Sequence, residues 1–173
     1  DYGHDIKGAE MAGEILSRWR RPKAFMDRVV WLVANHMKFH YFANVPEADG
    51  LKWIRSLARN KEFSSSRDMA EAFAQMTDLG NADIIGCGKE LSDTEGHSAF
   101  GRYMEDLALS MPVSTHELHY GKEVPEALGP YVAEGMQNLL LRVQNGNLEN
   151  TPEALHEAAV RFKRRRDNEK RNT

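Results

Sequence analysis

Apolar residues in this chain recur every three or four positions and nowhere alternate in a sustained way, a periodicity that restricts the fold to packed helices. Ile6, Ala9, Ala12, Leu16 and Trp19 form one stripe before Pro22 breaks it, and Met26, Val29, Val30, Val33 and Met37 form a second. Asn44 to Gly50 is turn chemistry, and Leu51, Ile54, Leu57 and Ala58 then mark a short helix. Met69, Phe73 and Met76 define the next, which Ser64-Ser65-Ser66 can cap, with Asp68 in its first turn. Gly86, Gly88, Ser92, Asp93 and Gly96 read as a loop before a helix around Phe100 to Leu109, ended by Pro112. Pro125, Gly129 and Pro130 stand near the entrance of a helix carrying Val132, Met136, Leu139, Leu140 and Val143, which Asn145-Gly146-Asn147 closes. Thr151-Pro152 supplies a capping hydroxyl and a proline at the first helical position for a last helix through Leu155, Ala158, Ala159 and Phe162. The expected fold class is all-α, a multi-helix bundle. We find no internal repeat, no phosphate-cradling glycine loop and no nucleophile elbow.

At 173 residues the chain suits one domain, or one with an appendage. No apolar run approaches the roughly 20 residues that a bilayer span needs, and no charged-then-apolar leader opens the sequence. The expectation is a cytoplasmic protein without a membrane partner. Asp rather than Met at position 1 reads as a fragment or a processed product. Cys87 is alone, which excludes an internal disulfide, and it reads as a structural thiol.

The net charge of −3 conceals an asymmetry. From Arg161 to Arg171 there are seven basic residues against two acidic ones, out of chain totals of 23 and 26, so the body is acidic and the end is basic. A basic tail neutralises phosphates and gives salt-dependent, sequence-blind affinity for nucleic acid. The same charges also suit the negative end of a helix dipole, so charge by itself leaves both readings open.

Two polar residues fall on apolar stripes. His36 lies three residues past Val33 and seven past Val29, and seven residues beyond Met76 the fourth stripe reaches Asp83. An unpartnered polar group in an apolar core costs about 1–3 kcal/mol, so each needs a partner. Imidazole and carboxylate from different helices suit manganese, iron, nickel, zinc or magnesium. A satisfied core histidine and a carboxylate held by a helix N-terminus or an arginine meet the same requirement. His40 and His97 fall in or beside loops, His156 matches no ligand pattern, and His116 and His119, three apart, lack a third ligand.

Gly3-His4-Asp5-Ile6-Lys7-Gly8-Ala9-Glu10, the Ile15-Leu16-Ser17-Arg18 run and Val29 through Asn35-His36-Met37 resemble the helical body of bacterial tRNA nucleotidyltransferases and poly(A) polymerases. Pro125 to Gly129 and Asn147 to Thr151 resemble, more weakly, that family's later helix entrance and the turn before its last helix. The resemblance implies the second half of an HD-type metal domain followed by a helical RNA-binding tail, with a partial HD-like body over residues 1–110 and a tail with a basic end over 111–173. It implies that His4 and His36 are auxiliary histidines and Asp83 the final metal-site aspartate, the leading histidine and the histidine-aspartate doublet lying upstream of residue 1. His4, His36 and Asp83 are then an incomplete ligand set. No cofactor is expected in this chain alone, and a divalent metal (magnesium, manganese or nickel) belongs to the full-length parent.

The family's head carries paired carboxylates for phosphoryl transfer, and no such pair can be built here. The implied role is to hold RNA, the 3′ end and acceptor–T-stem side of tRNA, for a catalytic head in the same parent chain. Phosphate contacts are expected from Arg18, Arg20, Arg21 and Lys23, from Lys122, and from Lys163, Arg164, Arg165 and Arg166. Two alternatives stand beside this reading. One is an HD phosphohydrolase acting on a phosphodiester such as a 2′,3′-cyclic phosphate, and the other is a helical protein-interaction module.

Overall fold

The computed structural model describes residues 3–43 and 47–172. It is all-helical, with no strand among the described residues. The α-helices are α1 (His4–Arg18), α2 (Lys23–Phe42), α3 (Glu47–Asn60), α4 (Ser66–Gly86), α5 (Glu95–Ser110), α6 (Glu123–Leu128), α7 (Val132–Gln144) and α8 (Pro152–Arg171). Short 3-10 turns lead into α5 and α7. Among the described residues no helix is long and apolar enough to cross a membrane. Asn44, Val45 and Pro46 of the expected turn lie outside the described residues, and Glu47 to Gly50 are helical instead.

The chain forms two compact units, each drawn from separate stretches. The first takes the residues up to Lys52 together with Asp68–Ala108, and the second takes Trp53–Arg67 together with the residues from Leu109 onward.

In the first unit α1 and α2 pack on each other as a hairpin. Gly8 on α1 favours the close approach, since a Cβ placed on it would lie 3.3 Å from a Val33 methyl. Pro22, which has no amide proton to lose and an extended ψ, turns the chain into α2. α4 buries Met69, Phe73 and Met76, the stripe expected from spacing, together with Thr77 and Gly80. α5 answers with His97, Gly101, Met104 and Ala108. The Thr77 hydroxyl sits over Gly101, where any Cβ would collide with it, and it donates back to the Phe73 carbonyl at 2.9 Å. That local bond satisfies a hydroxyl that water cannot reach.

In the second unit α6, α7 and α8 enclose Val124, Leu128, Leu139, Leu140, Leu155, Ala158, Ala159 and Phe162. The sequence places Pro125 and Gly129 at the entrance of one helix, whereas the structure makes α6 a helix of its own. Gly129 separates it from α7 at a φ of +56°, a left-handed value that a side chain resists. α8 begins as its sequence dictates, Thr151 Oγ1 accepting from the Ala154 amide at 3.3 Å with Pro152 at the first helical position.

Two polar side chains, buried Gln144 and half-buried Glu117, pin this unit. The Gln144 amide donates to the Pro112 carbonyl at 3.0 Å and faces that of Ala58 at 3.5 Å. Glu117 accepts from the Ser66 amide (2.7 Å), the Ser66 hydroxyl (2.8 Å) and the Val113 and Ser114 amides (2.7 and 3.3 Å). Burial alone would push the Glu117 carboxyl up, but these four bonds to its charged form outweigh burial and hold its pKa below the usual range.

Candidate nucleic-acid interface

Helix α8 turns Leu155, Ala158, Ala159 and Phe162 to the core. At 100° per residue that leaves Lys163, Arg164, Asp167 and Arg171 along one flank and Arg161 and Arg165 along the other. The first flank, with Ala127 of α6, lines an open cleft of about 540 Å³. Lys163, Arg164 and Arg171 have no ion-pair partner among the described residues. Asp167 in the same cleft accepts from the Tyr131 hydroxyl at 3.0 Å.

The expected phosphate contacts divide by what they already touch. Arg166 is engaged on the inner side, bonded to Glu134 and, at 2.7 Å, to Glu169. Arg165 lies 5.5 Å over the Phe162 ring, with its Nε 3.7 Å from Glu169. Lys122 is exposed just before α6. In the first unit, Arg18 and Arg20 are exposed, Arg21 lies 4.9 Å over the Phe25 ring, and Lys23 bonds Asp27 at 2.7 Å on the surface.

The expected metal ligands are dispersed. His4 and His36 do meet, their Nε2 atoms 3.2 Å apart. His36 Nδ1 lies 2.6 Å from the Val33 carbonyl, which can only accept, so Nδ1 carries the proton. One of the two facing Nε2 atoms donates to the other.

Asp83 does not join them. Its side chain is 51% exposed, not buried as the spacing implies, and it pairs with His40 at 3.4 Å. The stripe has rotated past the core by that point, since Gly80 is the last buried residue of α4. Among the described residues no three His, Cys, Asp or Glu side chains gather as a metal-binding group.

Sequence reasoning misplaced His40 and His97, which belong to helices α2 and α5. Their rings lie 4.7 Å apart, and His40 sits one turn beyond His36, a four-residue spacing that signals a shared face. His97 Nδ1 donates to Asn81 Oδ1 (3.1 Å), whose amide in turn donates to Ser98 (2.9 Å). Its Nε2 is buried without a hydrogen-bond partner. Burial, helped by neighbouring His40 and opposed by Asp83, lowers the His97 pKa to about 4, so the ring is neutral at pH 7. Cys87, expected to be structural, is exposed.

On the other flank of α8, Asn138 and Arg142 of α7 face Arg161, Phe162 and Arg165 across a cleft of about 280 Å³. Arg142 and Arg161 are not among the expected contacts. Arg161 belongs to the basic run, and Arg142, one turn from Asn138, becomes relevant only once α7 is packed beside α8. No protein-family model, curated protein or solved structure matches this chain.

Proposed function

We propose that this chain is the RNA-holding helical body and tail of a tRNA nucleotidyltransferase or poly(A) polymerase relative, gripping the 3′ region of tRNA for a catalytic head carried elsewhere in the parent protein. The observation that carries the reading is the row Lys163, Arg164 and Arg171, which have no ion-pair partner among the described residues and line an open cleft whose Asp167 accepts from the Tyr131 hydroxyl. Cations held this way release counterions when phosphate arrives and lose no existing ion pair. The resemblance of Gly3 to Glu10 and of Val29 to Met37 to that family supplies the class of nucleic acid. Ile6 and Met11 on α1, Trp19 just after it and Phe25 on α2 are large, apolar and exposed, which supports a head or an upstream segment docking there.

A gel shift with tRNA across a salt series tests this. We expect binding at low salt whose logarithm falls steadily with the logarithm of salt concentration, and no polymerisation from any nucleoside triphosphate. Absence of binding at low salt, or binding indifferent to salt, would reject it.

The HD phosphohydrolase reading draws support from one observation, the meeting of His4 and His36 at their Nε2 atoms with His36 Nδ1 on the Val33 carbonyl. A neutral imidazole whose other nitrogen bonds a backbone carbonyl is oriented as metal ligands are. That reading requires bound metal by elemental analysis and hydrolysis of a 2′,3′-cyclic phosphate in added nickel or manganese.

A further inference from the structure

We infer that α8 is a ridge seated between two phosphodiester strands of an RNA duplex, one strand in the cleft on its α6 flank and the other in the cleft on its α7 flank. This rests on the RNA-holding reading and adds to it the second cleft, the placing of the two strands on either side of α8 and the role of Arg142 and Arg161.

The two clefts share no residue and lie on opposite sides of the same helix. One presents Lys163, Arg164 and Arg171 beside Asp167, and the other presents Arg142, Arg161 and Arg165 around Phe162. An α-helix with its side chains is about 10–12 Å across, so anions bound in both clefts are held apart by a fixed spacer. A single strand has no reason to occupy both sides of such a spacer, whereas paired strands present phosphates on either side of a groove.

The second cleft is built mainly of guanidinium groups, whose planar forks match two phosphate oxygens at once. Arg142 is half-buried, has no ion-pair partner among the described residues, and approaches from a different helix than Arg161 and Arg165. The ion pairs of Arg161 and Arg165 are exposed ones a helical turn away, to Glu157 at 3.2 Å and to Glu169 at 3.7 Å, and Arg165 also lies over the Phe162 ring. Exposed pairs of this kind contribute little and yield readily to a phosphate.

The test uses the full chain and fluorescence anisotropy with a labelled RNA duplex of about one helical turn, and with one of its strands alone. The variants are Arg142→Gln/Arg161→Gln for the α7 flank and Lys163→Gln/Arg164→Gln for the α6 flank. Lys61→Gln/Lys89→Gln serves as an equal charge change elsewhere.

Each flank variant should lose duplex affinity and flatten the salt dependence by roughly two phosphate contacts, and the control should do neither. Between about 50 and about 200 mM salt the wild type then loses on the order of 10-fold more affinity than either flank variant. The single strand should tolerate either change within about twofold, because the other cleft remains, and should lose binding only when both are combined. Circular dichroism checks folding. If the double variant loses helix, Arg161→Gln alone carries the test at a side chain 67% exposed.

Wild-type binding of the duplex with an α7-flank variant that keeps both affinity and salt slope would overturn the inference and leave the RNA-holding reading standing. Equal sensitivity of duplex and single strand to each flank variant would overturn it as well. Failure of the wild type to bind either RNA would remove both.

Discussion

Two stretches of similar length, α2 and α8, show how differently helices with apolar stripes can be used. α2 spans 20 residues and buries only Phe39, while Val29, Val30, Trp31, Leu32 and Val33 are half-buried. α8 also spans 20 residues and buries Leu155, Ala158, Ala159 and Phe162, and α7 beside it buries six residues in 13. Apolar content is not the difference, because mean hydropathy is higher in α2. Partners are. α7 and α8 close a core with α6, whereas the hairpin of α1 and α2 leaves Ile6, Met11, Trp19, Phe25 and Tyr41 in solvent. A segment can therefore be apolar by composition and still contribute little to the stability of the chain that carries it.

The largest expected effect follows directly. Leu155→Ala and Leu139→Ala remove fully buried side chains and should each cost about 2–5 kcal/mol by urea unfolding. Ile6→Ala, at a side chain 56% exposed, should cost less than about 0.5 kcal/mol. Equal costs would break the comparison, and a stabilising effect of Ile6→Ala on solubility would sharpen it.

Next in size is Glu117→Gln. It withdraws a charged acceptor from the Ser66, Val113 and Ser114 amides and should cost on the order of 2–3 kcal/mol. Glu117→Asp, one methylene too short to reach all of them, should recover only part of that.

The acid limb of stability separates the two units in pH. His97, ordinarily near 6.5, is lowered to about 4 in the folded chain, so the unfolded chain binds the extra proton between those values and stability falls as pH drops through that window. Glu117 is lowered too, so its contribution is complete above its ordinary value near 4.5 and is lost only at more acid pH. His97→Gln should flatten the loss between pH 6.5 and 4 and leave the later loss in place, as followed by unfolding midpoints across pH. A midpoint insensitive to pH in that window would contradict a buried neutral His97.

The smallest effect belongs to the surface. Lys23→Ala breaks a pair with Asp27 whose side chains are 85% and 61% exposed, and should change stability by less than about 0.5 kcal/mol, less still in high salt. A larger change would mean that the hairpin depends on its rim rather than on its face.

The sequence makes most of the fold legible through spacing. The buried residues of α8 are those its periodicity marks, α4 and α7 bury the marked Met69, Phe73, Met76, Met136, Leu139, Leu140 and Val143 while the marked Val132 is exposed, and Thr151-Pro152 announces the start of α8 correctly. What stayed hidden depends on distant partners. Asp83 continues the stripe of α4 on paper, yet α4 outruns its cover after Gly80, and no residue near Asp83 signals that. Ser66 has the chemistry of a cap, but the acceptor for its amide is Glu117, 51 residues away. The basic run at 161–171 reads as one patch, whereas packing assigns Arg166 to Glu134 and divides the others between two flanks. Charge is visible in sequence, and what each charge already touches is not.

The second unit takes Trp53–Arg67 from well upstream of the rest of it, so the contact of Gln144 with the Ala58 carbonyl ties positions 86 apart. Drawing together the ends of a loop that long costs roughly 4 kcal/mol of chain entropy before any contact repays it. Completion of this unit is thus a late event during synthesis on the ribosome: the Ala58 carbonyl and the Arg59 guanidinium emerge long before Gln144 and Asn145, the side chains that meet them, have been made.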